Sequence, residues 1–599
     1  MATSFVRSAQ RFALRNVFCL LLAFTACSAS AEGDWRHDYA VAPGFRIQRD
    51  TVGFNLPSAI AFVPKPGPGP KDPLYFVTEL RGKVKVVTND RSIYTFAEGF
   101  QHLVPKKEIP DHLGEIGMAG ICLEPEHGYV FVSYAYEDKD GIYRNGITRF
   151  DSTPGTFSLK PSGQKRLATM FDKFLSNVAH QIGPLVVLDG YLYCSEGDGY
   201  SPVVARDLDH PGGKVLRMTL DGAPVRDNPF AVDDDPEKAR NYVWAYGFRN
   251  PFSLYTVKGH LYAADNGIDI DRFVEVKRGA DYLYGGDGEA CASNALFVWT
   301  PSVGPVQIGY DKIGDGTANF PEAWKNKMFI ALCGSPSDPD GSADPRRKCV
   351  IGLGVDFDRS QLSDMPAPIF RYAGYRKQLL VGLAVGHDGL YVVPMFGDRE
   401  GVTAILKVDY HPGAQHIKLI QKPQTALQIM QEKGCLGCHQ LDHHGFGSNA
   451  PPLARDVLAA TIQKRVESPE YAKMLDDADK VTIEPTKNYA KARAEVRAAK
   501  GKEKARLWIK YRVLEPKFDR IAVPMPNMGL TEAQAEAISH YLSEPTTKEV
   551  VRMRVSSALP SGARKNGVIF GAGLLAGAIP VGLLGFFFAR RKKRPKAES

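Results

Sequence analysis

The chain has 599 residues, of which 44% are hydrophobic and 24% charged, and its formal net charge is +8. Part of the positive excess is local, because residues 590–594 are all lysine or arginine. No segment interleaves basic and aromatic side chains as nucleic-acid-binding segments do, so we expect no nucleic acid partner.

The first 31 residues are typical of a secretory signal peptide. Three arginines precede an apolar stretch over residues 17–26, and Ala29-Ser30-Ala31 matches a cleavage site built of small residues. We predict that residues 1–31 are a signal peptide. The rest of the chain is then exported, with its folded part in the periplasm or outside the cell.

Residues 35–410 are predicted to be all-β. Short apolar runs such as Leu74-Tyr75-Phe76-Val77 alternate with turn residues, and an Asp-Gly turn before an aromatic strand occurs at 189–191 and again at 388–391. No helical segments alternate with these strands, which argues against an α/β fold. Since a four-stranded blade needs about 40 to 60 residues, this length predicts a six-bladed β-propeller.

Several short motifs follow one another in this region. They are Gly114-Glu115-Ile116-Gly117, Ala179-His180-Gln181-Ile182-Gly183-Pro184, Gly213-Lys214-Val215-Leu216-Arg217 and Tyr246-Gly247-Phe248-Arg249-Asn250-Pro251. Through these motifs residues 45–410 resemble the glucose/sorbosone dehydrogenase family, six-bladed propellers that use pyrroloquinoline quinone (PQQ). The resemblance implies oxidation of a sugar or alcohol hydroxyl, with PQQ receiving the hydride.

The resemblance also assigns roles to individual residues. His180 falls at the position of the general base, and a histidine suits proton abstraction at neutral pH. Arg249 matches the arginine beside the quinone oxygens, where a fixed cation would stabilise the arriving negative charge. Asn250 follows it as a candidate cofactor-binding residue.

A calcium ion is the second cofactor that the resemblance implies. In the family it is held partly by backbone carbonyls of a loop that corresponds to Asn266, Gly267 and Ile268. Calcium prefers oxygen ligands, so Gly267 and Ile268 are candidate metal ligands and Asn266 a candidate cofactor contact. Asp269 and Asp271 follow as further candidate ligands for a metal or substrate.

Glu115 departs from the family pattern. It stands where the family has a quinone-contacting glutamine, which places an acid beside an anionic cofactor. The basic residues that grip the cofactor carboxylates also have only loose counterparts, namely Lys348, Arg376, Lys377 and Arg399. These departures leave open a rival interpretation, a non-catalytic binding propeller, whereas His180 and Arg249 favour an enzyme.

A linker at 411–424 leads to a predicted cytochrome c domain at 425–546. A helical pattern over 425–432 precedes Cys435-Leu436-Gly437-Cys438-His439, the attachment sequence of a c-type haem. Its two thiols bind the porphyrin and the histidine ligates the iron. The alternatives are a dithiol redox motif and a partial zinc site, but zinc would need two more ligands at similar spacing.

Met525 is the predicted sixth ligand of the haem iron. It lies between two prolines, just before a helix that runs through 538–542, and Met528 is the alternative. A catalyst centred on the haem would instead need an open iron position. The Lys-, Arg-, Ala- and Glu-rich segment at 484–510 is predicted to be an inserted surface helix.

Residues 567–589 are apolar and long enough to cross a bilayer, and the basic tail at 590–599 is expected to remain cytoplasmic. The sequence therefore predicts a membrane-anchored quinohaemoprotein dehydrogenase. It would pass electrons from PQQ through haem c to a respiratory cytochrome or quinone. The alternative is a binding propeller whose haem domain serves electron transfer or redox sensing.

Overall fold

The computed structural model describes residues 34–100, 115–268, 270–286, 294–299, 302–311, 320–334, 347–414, 416–420, 425–442, 450–523, 525 and 527–558. The chain divides into two compact units, Met1–Gln424 with Met430–Gly437, and Thr425–Ile429 with Cys438–Ser599. The predicted signal peptide, transmembrane helix and basic tail lie outside the described residues. Among the described residues, no helix is long and apolar enough to span a membrane.

The first unit is a six-bladed β-propeller, as predicted. Strands β1 (Tyr39–Val41) and β2 (Phe45–Val52) precede the first blade. The first four blades are β3 (Pro57–Phe62), β4 (Pro73–Glu79), β5 (Lys83–Thr88), β6 (Ile93–Ala97); β7 (Met118–Glu124), β8 (Tyr129–Glu137), β9 (Tyr143–Asp151), β10 (Gly163–Leu167); β11 (Ile182–Leu188), β12 (Tyr191–Glu196), β13 (Lys214–Thr219), β14 (Val243–Tyr246); and β15 (Pro251–Val257), β16 (His260–Asp265), β17 (Asp271–Glu275), β18 (Phe297–Trp299). The last two contain β19 (Pro305–Tyr310), β20 (Lys327–Leu332), β21 (Cys349–Asp356), β22 (Gln361–Tyr372) and β23 (Leu380–Val385), β24 (Leu390–Pro394), β25 (Ala404–Tyr410).

The N-terminal strand β2 closes the ring. It pairs antiparallel with β25, from Phe45 opposite Tyr410 to Val52 opposite Ala404, and so becomes the outermost strand of the last blade. Strand β1 similarly adds a fifth strand to the preceding blade by pairing with β22. Joining the two ends of the propeller in one sheet leaves the ring without an open seam.

Each blade packs between its two neighbours, which explains the apolar runs of its strands. Strand β4 is buried along its whole length, and Phe76 is fully covered. Val84 of the first blade packs in one cluster with Val130 and Val132 of the second. A strand that is covered on both faces needs no polar alternation, so its sequence appears as a short continuous hydrophobic run.

One face of the ring gathers the loops that carry the predicted site residues. The innermost strands β7, β11 and β15 begin just after Glu115, His180 and Asn250, and innermost strands of successive blades contact one another around the ring. Ser195, near the end of β12, donates to the Pro251 carbonyl at 2.6 Å, which ties neighbouring blades together at this face. A cavity of about 660 Å³ also lies along the innermost strands, but the described site residues do not line it.

The described part of the second unit is helical. Its helices are α1 (Ala426–Glu432, which continues into the first unit), α2 (Leu458–Val466), α3 (Pro469–Asp479), α4 (Ala490–Ala498), α5 (Gly501–Leu514), α6 (Glu532–Ser543) and α7 (Thr547–Ala558). The helices predicted at 425–432 and through 538–542 are confirmed as α1 and α6. A cytochrome c fold for this unit remains a prediction.

The segment at 484–510 is not a single surface helix, so that prediction was wrong. It forms α4 and most of α5, and α5 packs against α2 and α6. Trp508 and Ile509 are buried, and the Trp508 indole donates to the buried carboxylate of Asp519 at 2.9 Å. Its lysines and arginines suggested a solvated face, but long basic side chains can cover a core while their charged ends reach the surface.

Candidate active site

His180 and Asp198 form a buried pair at the face described above. The His180 Nδ1 and Asp198 Oδ1 atoms are 2.6 Å apart, and their side chains are 6% and 1% exposed. With a carboxylate as partner, Nδ1 carries the proton and Nε2 is left with its lone pair. Among the described residues, none hydrogen-bonds to Nε2, so this atom can accept a proton from a ligand.

The backbone of His180 is held in a strained conformation. Its φ is 55°, in the left-handed region that costs a non-glycine residue about 1–2 kcal/mol. The His180 amide donates to Glu115 Oε2 at 3.1 Å, and its carbonyl accepts from the Gly199 amide at 3.1 Å. Contacts from two neighbouring loops therefore fix the imidazole in place, as is common where strain persists at functional sites.

Arg249 and Asn250 are positioned by a second buried ion pair. Their amides donate to Asp265 Oδ1 at 3.2 and 2.7 Å. Asp265 is in turn bound by Arg272, whose Nε and Nη2 lie 3.0 and 2.8 Å from Oδ2. Since Arg272 neutralises Asp265, the positive charge of Arg249 remains available to the site.

The loop after β16 brings backbone oxygens together. The Gly267 and Ile268 carbonyls both lie within hydrogen-bond distance of Ser302 Oγ, at 3.2 and 3.0 Å. One hydroxyl proton can serve only one of them at a time. Asn266 Oδ1 in the same loop is buried, and no residue that the structure describes hydrogen-bonds to it. Gly267 is required here, because a Cβ would lie 1.8 Å from the Ile270 carbonyl oxygen.

The Asp271 carboxylate does not belong to this group of candidate metal ligands. Its carboxylate accepts from the amides of Gly267, Val303 and Gly304 at 2.8, 2.6 and 2.8 Å, so it is already occupied in holding the loop. Burial raises its pKa to about 6, although those three donors oppose the shift. Asp271 is a structural residue of the loop, and Asp269 lies outside the described residues.

Glu115 and Tyr200 complete the surroundings of His180. Desolvation raises the pKa of Glu115, while His180 and Arg249 oppose that shift. The Tyr200 ring centroid lies 4.1 Å from the His180 ring centroid, with the planes tilted by 44°. The structure thus brings Glu115, His180 and Arg249 into one electrostatic environment.

The basic residues predicted as candidate partners of the cofactor carboxylates make different contacts in the structure. Arg399 forms an ion pair with the buried Asp38, and the Arg399 Nε atom lies 2.9 Å from Asp38 Oδ1. Arg347, which the sequence did not single out, donates from Nη2 to the Ser302 carbonyl at 2.9 Å and so lies beside the Gly267 loop. Lys348 is buried next to it, with its ammonium 5.9 Å from the Tyr372 ring.

A buried acid and a buried base lie opposite each other behind the site. Glu196 and Lys214 are register partners on β12 and β13, and Lys214 donates to the carbonyls of Val204, Ala205 and Gly212. Desolvation raises the pKa of Glu196 to about 8 and lowers that of Lys214 to about 7. Glu196 Oε1 accepts from Asn145, but Oε2 has no partner.

The free energy of unfolding should depend on pH through Glu196. An acid whose pKa is raised by folding stabilises the fold below its ordinary pKa and loses that contribution as pH rises toward 8. Relative to Glu196→Gln, the wild type should lose roughly 2 kcal/mol between pH 5 and 7. Urea unfolding at both pH values measures this, with the exposed Glu98→Gln as control. An equal difference at both pH values would contradict it.

In the second unit, His439 has one ring nitrogen fixed. The His439 Nδ1 atom lies 2.7 Å from the Pro451 carbonyl oxygen, so Nδ1 donates and Nε2 is the nitrogen left for a metal. Burial lowers the pKa of His439, and a histidine that ligates a metal must be neutral. Cys435 begins a short 3-10 helix, Cys435–Gly437, and Cys438 directly precedes His439.

The two methionines differ in burial. Met528 is 8% exposed and therefore fills the helical core, whereas Met525 is half-buried. Met525 as the sixth ligand stays a prediction, and its flanking prolines lie outside the described residues.

The sequence motifs do not contain Asp198, Tyr200 or Asp265, which the structure places around the predicted base and arginine. A carboxylate two residues after a buried strand and close to a histidine-bearing loop is the signal that would have indicated Asp198. Arg272, which neutralises Asp265, left no comparable signal in the sequence.

Comparison with known proteins agrees with the motifs. A family model described as Glucose / Sorbosone dehydrogenase matches residues 54–332, a range that contains Glu115, His180, Arg249 and Asn266. An aldose sugar dehydrogenase of Escherichia coli is 29% identical over 156 residues, which are 24% of this chain and 40% of that protein. The match thus spans less than half of the length of this curated relative.

Solved structures of similar proteins cover the propeller. The PQQ-bound aldose sugar dehydrogenase of Streptomyces coelicolor is 20% identical with a TM-score of 0.43, and covers 62% of this chain and 100% of its own. The apo-form of the soluble aldose sugar dehydrogenase of Escherichia coli is 19% identical with a TM-score of 0.44, and covers 61% and 100%. By the family model alone, residues 54–332 of the chain are similar to the glucose/sorbosone dehydrogenase family, as their motifs indicated.

Proposed function

We propose that the protein is a PQQ-dependent dehydrogenase that oxidises a hydroxyl group of an aldose sugar or a related alcohol. The observation that carries this proposal is the buried His180–Asp198 pair. Its unpartnered Nε2 lies at the face where the family-like loops converge. Such a pair is a general base with a fixed tautomer, as removal of a hydroxyl proton requires.

In this proposal, His180 Nε2 receives the proton of the substrate hydroxyl. Asp198 holds Nδ1–H and stabilises the imidazolium once the proton has arrived. The Glu115 contact to the His180 amide holds the backbone that carries the ring. Because this arrangement exists before substrate binds, little reorganisation is needed during the reaction.

Arg249 supplies the positive charge of the site. Its Nη1 donates to the Asn266 carbonyl at 2.8 Å, which leaves further N–H groups of the guanidinium for an anionic ligand. The buried ion pair of Asp265 and Arg272 fixes the backbone of Arg249, because the Arg249 amide donates to Asp265. A guanidinium held in this way stabilises negative charge without moving.

The residues present fit PQQ in their chemistry. Arg249 offers a cationic donor of the kind that a polyanionic quinone requires, and Asn250 adds an amide. Glu115 fits best as a neutral acid, and burial already raises its pKa. When bound, PQQ supplies the carbonyl carbon that accepts the hydride.

The residues also fit a calcium ion. The Gly267 and Ile268 carbonyls and the unpartnered Asn266 Oδ1 offer oxygen ligands, which calcium prefers. A cation there would satisfy the buried amide oxygen of Asn266. Calcium would add positive charge beside the anionic cofactor.

We further propose that a haem c held by Cys435, Cys438 and His439, with Met525 as sixth ligand, transfers single electrons to a respiratory acceptor. The support is the CxxCH sequence and the Pro451 contact that frees His439 Nε2. Export by residues 1–31 and anchoring by residues 567–589 would place that acceptor at the membrane.

The rival function is a non-catalytic propeller that binds a ligand. Glu115 favours it, since an acid at this position weakens the attraction for an anionic quinone unless it is protonated. The binding propeller would retain the fold and the haem but would take up no PQQ. Cofactor binding therefore separates the two functions.

Titration of the purified protein with PQQ in the presence of calcium, followed by PQQ absorbance, tests the proposal. We expect saturable binding, weakened roughly 30-fold in Arg249→Gln because one charged partner of an anion is lost. Arg226→Gln, which changes an arginine with an 84% exposed side chain, should bind like the wild type. Failure of the wild type to bind PQQ would favour the rival.

A further inference from the structure

Tyr200 presents an open aromatic face beside the proposed base. Its side chain belongs to the loop after β12, and the residue is 45% exposed, whereas His180 is only 6% exposed. The two ring centroids are 4.1 Å apart. A tyrosine that only filled the core would be buried, and this one is not.

The backbone of Tyr200 is held in an unfavourable conformation by the catalytic pair. Its φ is 63°, in the left-handed region, although tyrosine is bulky. The Tyr200 amide donates at 3.1 Å to Asp198 Oδ1, the same oxygen that binds His180 Nδ1 at 2.6 Å. One carboxylate oxygen therefore fixes the base and the aromatic ring in a common geometry.

The Tyr200 phenol also lies within the field of the charged site residues. Burial of its inner side and the Glu115 carboxylate raise the pKa of Tyr200, and Arg249 opposes them. Its ring is thus flanked by the groups that would handle the substrate hydroxyl. Strain, exposure and this placement are independent observations that converge on a ligand contact.

We propose that Tyr200 is a substrate-binding residue whose exposed ring face receives the C–H face of a pyranose sugar, with one sugar hydroxyl directed to His180 Nε2. This inference rests on the proposed function and names the substrate class. The carbon-bound hydrogens of a pyranose form a flat apolar surface, and an aromatic ring buries such a surface well. Small acyclic alcohols lack that surface and gain nothing from Tyr200.

The test compares KM and kcat of Tyr200→Phe, Tyr200→Ala and Tyr200→Gly for an aldopyranose and for a short acyclic alcohol. The Ala and Gly variants should raise the KM for the pyranose about tenfold, and leave the acyclic alcohol unchanged. Phe should behave like tyrosine, because it keeps the ring. Gly relieves the left-handed strain but still lacks the ring, so it controls for folding. Tyr375→Ala, which changes a 67% exposed tyrosine after β22, is the matched surface control.

A merely structural role would lower kcat equally for both substrates, and that result would overturn the proposal. Calorimetric binding of the sugar to the protein without added PQQ separates this inference from the proposed function. Sugar binding that weakens in Tyr200→Ala supports the inference even if no oxidation occurs. Sugar binding that is identical in all four proteins overturns it.

Discussion

Replacing His180 with glutamine should lower kcat for aldose oxidation by roughly 10³-fold, because the proton of the substrate hydroxyl then has no acceptor. Glutamine keeps the size and polarity of the side chain, so the fold and the uptake of PQQ should be preserved. Steady-state rates with an electron-accepting dye, together with PQQ titration, measure both quantities.

Two variants sharpen this result. Asp198→Asn should also lose activity, because an amide can turn its oxygen or its N–H toward Nδ1 and no longer fixes the tautomer of His180. His260→Gln is the matched control, since His260 is also paired with a carboxylate, at 2.8 Å from Glu275, on a different strand. A His180→Gln enzyme with wild-type kcat would remove His180 from the mechanism.

Replacing both Cys435 and Cys438 with serine should abolish covalent haem attachment, because no thiol then remains in the motif to bond to the porphyrin. The absorbance of haem retained after denaturation measures the effect. Reduction of PQQ by substrate should persist in this variant, while electron transfer to a cytochrome acceptor should stop.

Cys122→Ser is the control for this pair. Cys122 is half-buried on β7 in the propeller, and burial raises its pKa to about 12, which disfavours the reactive thiolate. Covalent haem in the double serine variant, or its absence from wild-type protein produced with a haem-attachment system, would contradict the assignment of the motif.

The architecture of the propeller could be predicted from local patterns. Runs such as Leu74–Val77 are continuous because β4 is covered on both faces, and tight turns separate them at a regular spacing. The closure by β2 and β25 could not be predicted, since it joins residues more than 350 positions apart. Only the ring geometry brings Phe45 opposite Tyr410.

The site was predicted where a motif carries its residues and missed where the fold supplies a partner. His180 and Arg249 lie in recognisable motifs. Asp198 and Asp265 are defined by what they contact, His180 Nδ1 and the amides of Arg249 and Asn250. Neither carboxylate lies in one of these motifs, and only the folded structure shows their contacts.

In the helical unit, amino-acid composition alone does not indicate which residues are buried. Residues 484–510 are rich in lysine and arginine, and this composition predicted a surface helix, yet Ala505 and Ile509 are buried between helices. Lys510 lies 3.1 Å from Glu532 and 3.0 Å from Glu536, so its charge is satisfied at the edge of that core. Periodicity, not charge content, indicates the buried face of such a helix.

Oxidation of aldoses by the reconstituted protein tests the central claim most directly. The purified chain is loaded with PQQ and calcium, mixed with a panel of aldoses and simple alcohols, and followed by reduction of an electron-accepting dye. We predict that at least one aldose reduces the dye, that the rate requires PQQ, and that His180→Gln abolishes it. Full occupancy by PQQ with no dye reduction by any aldose or alcohol would contradict the claim.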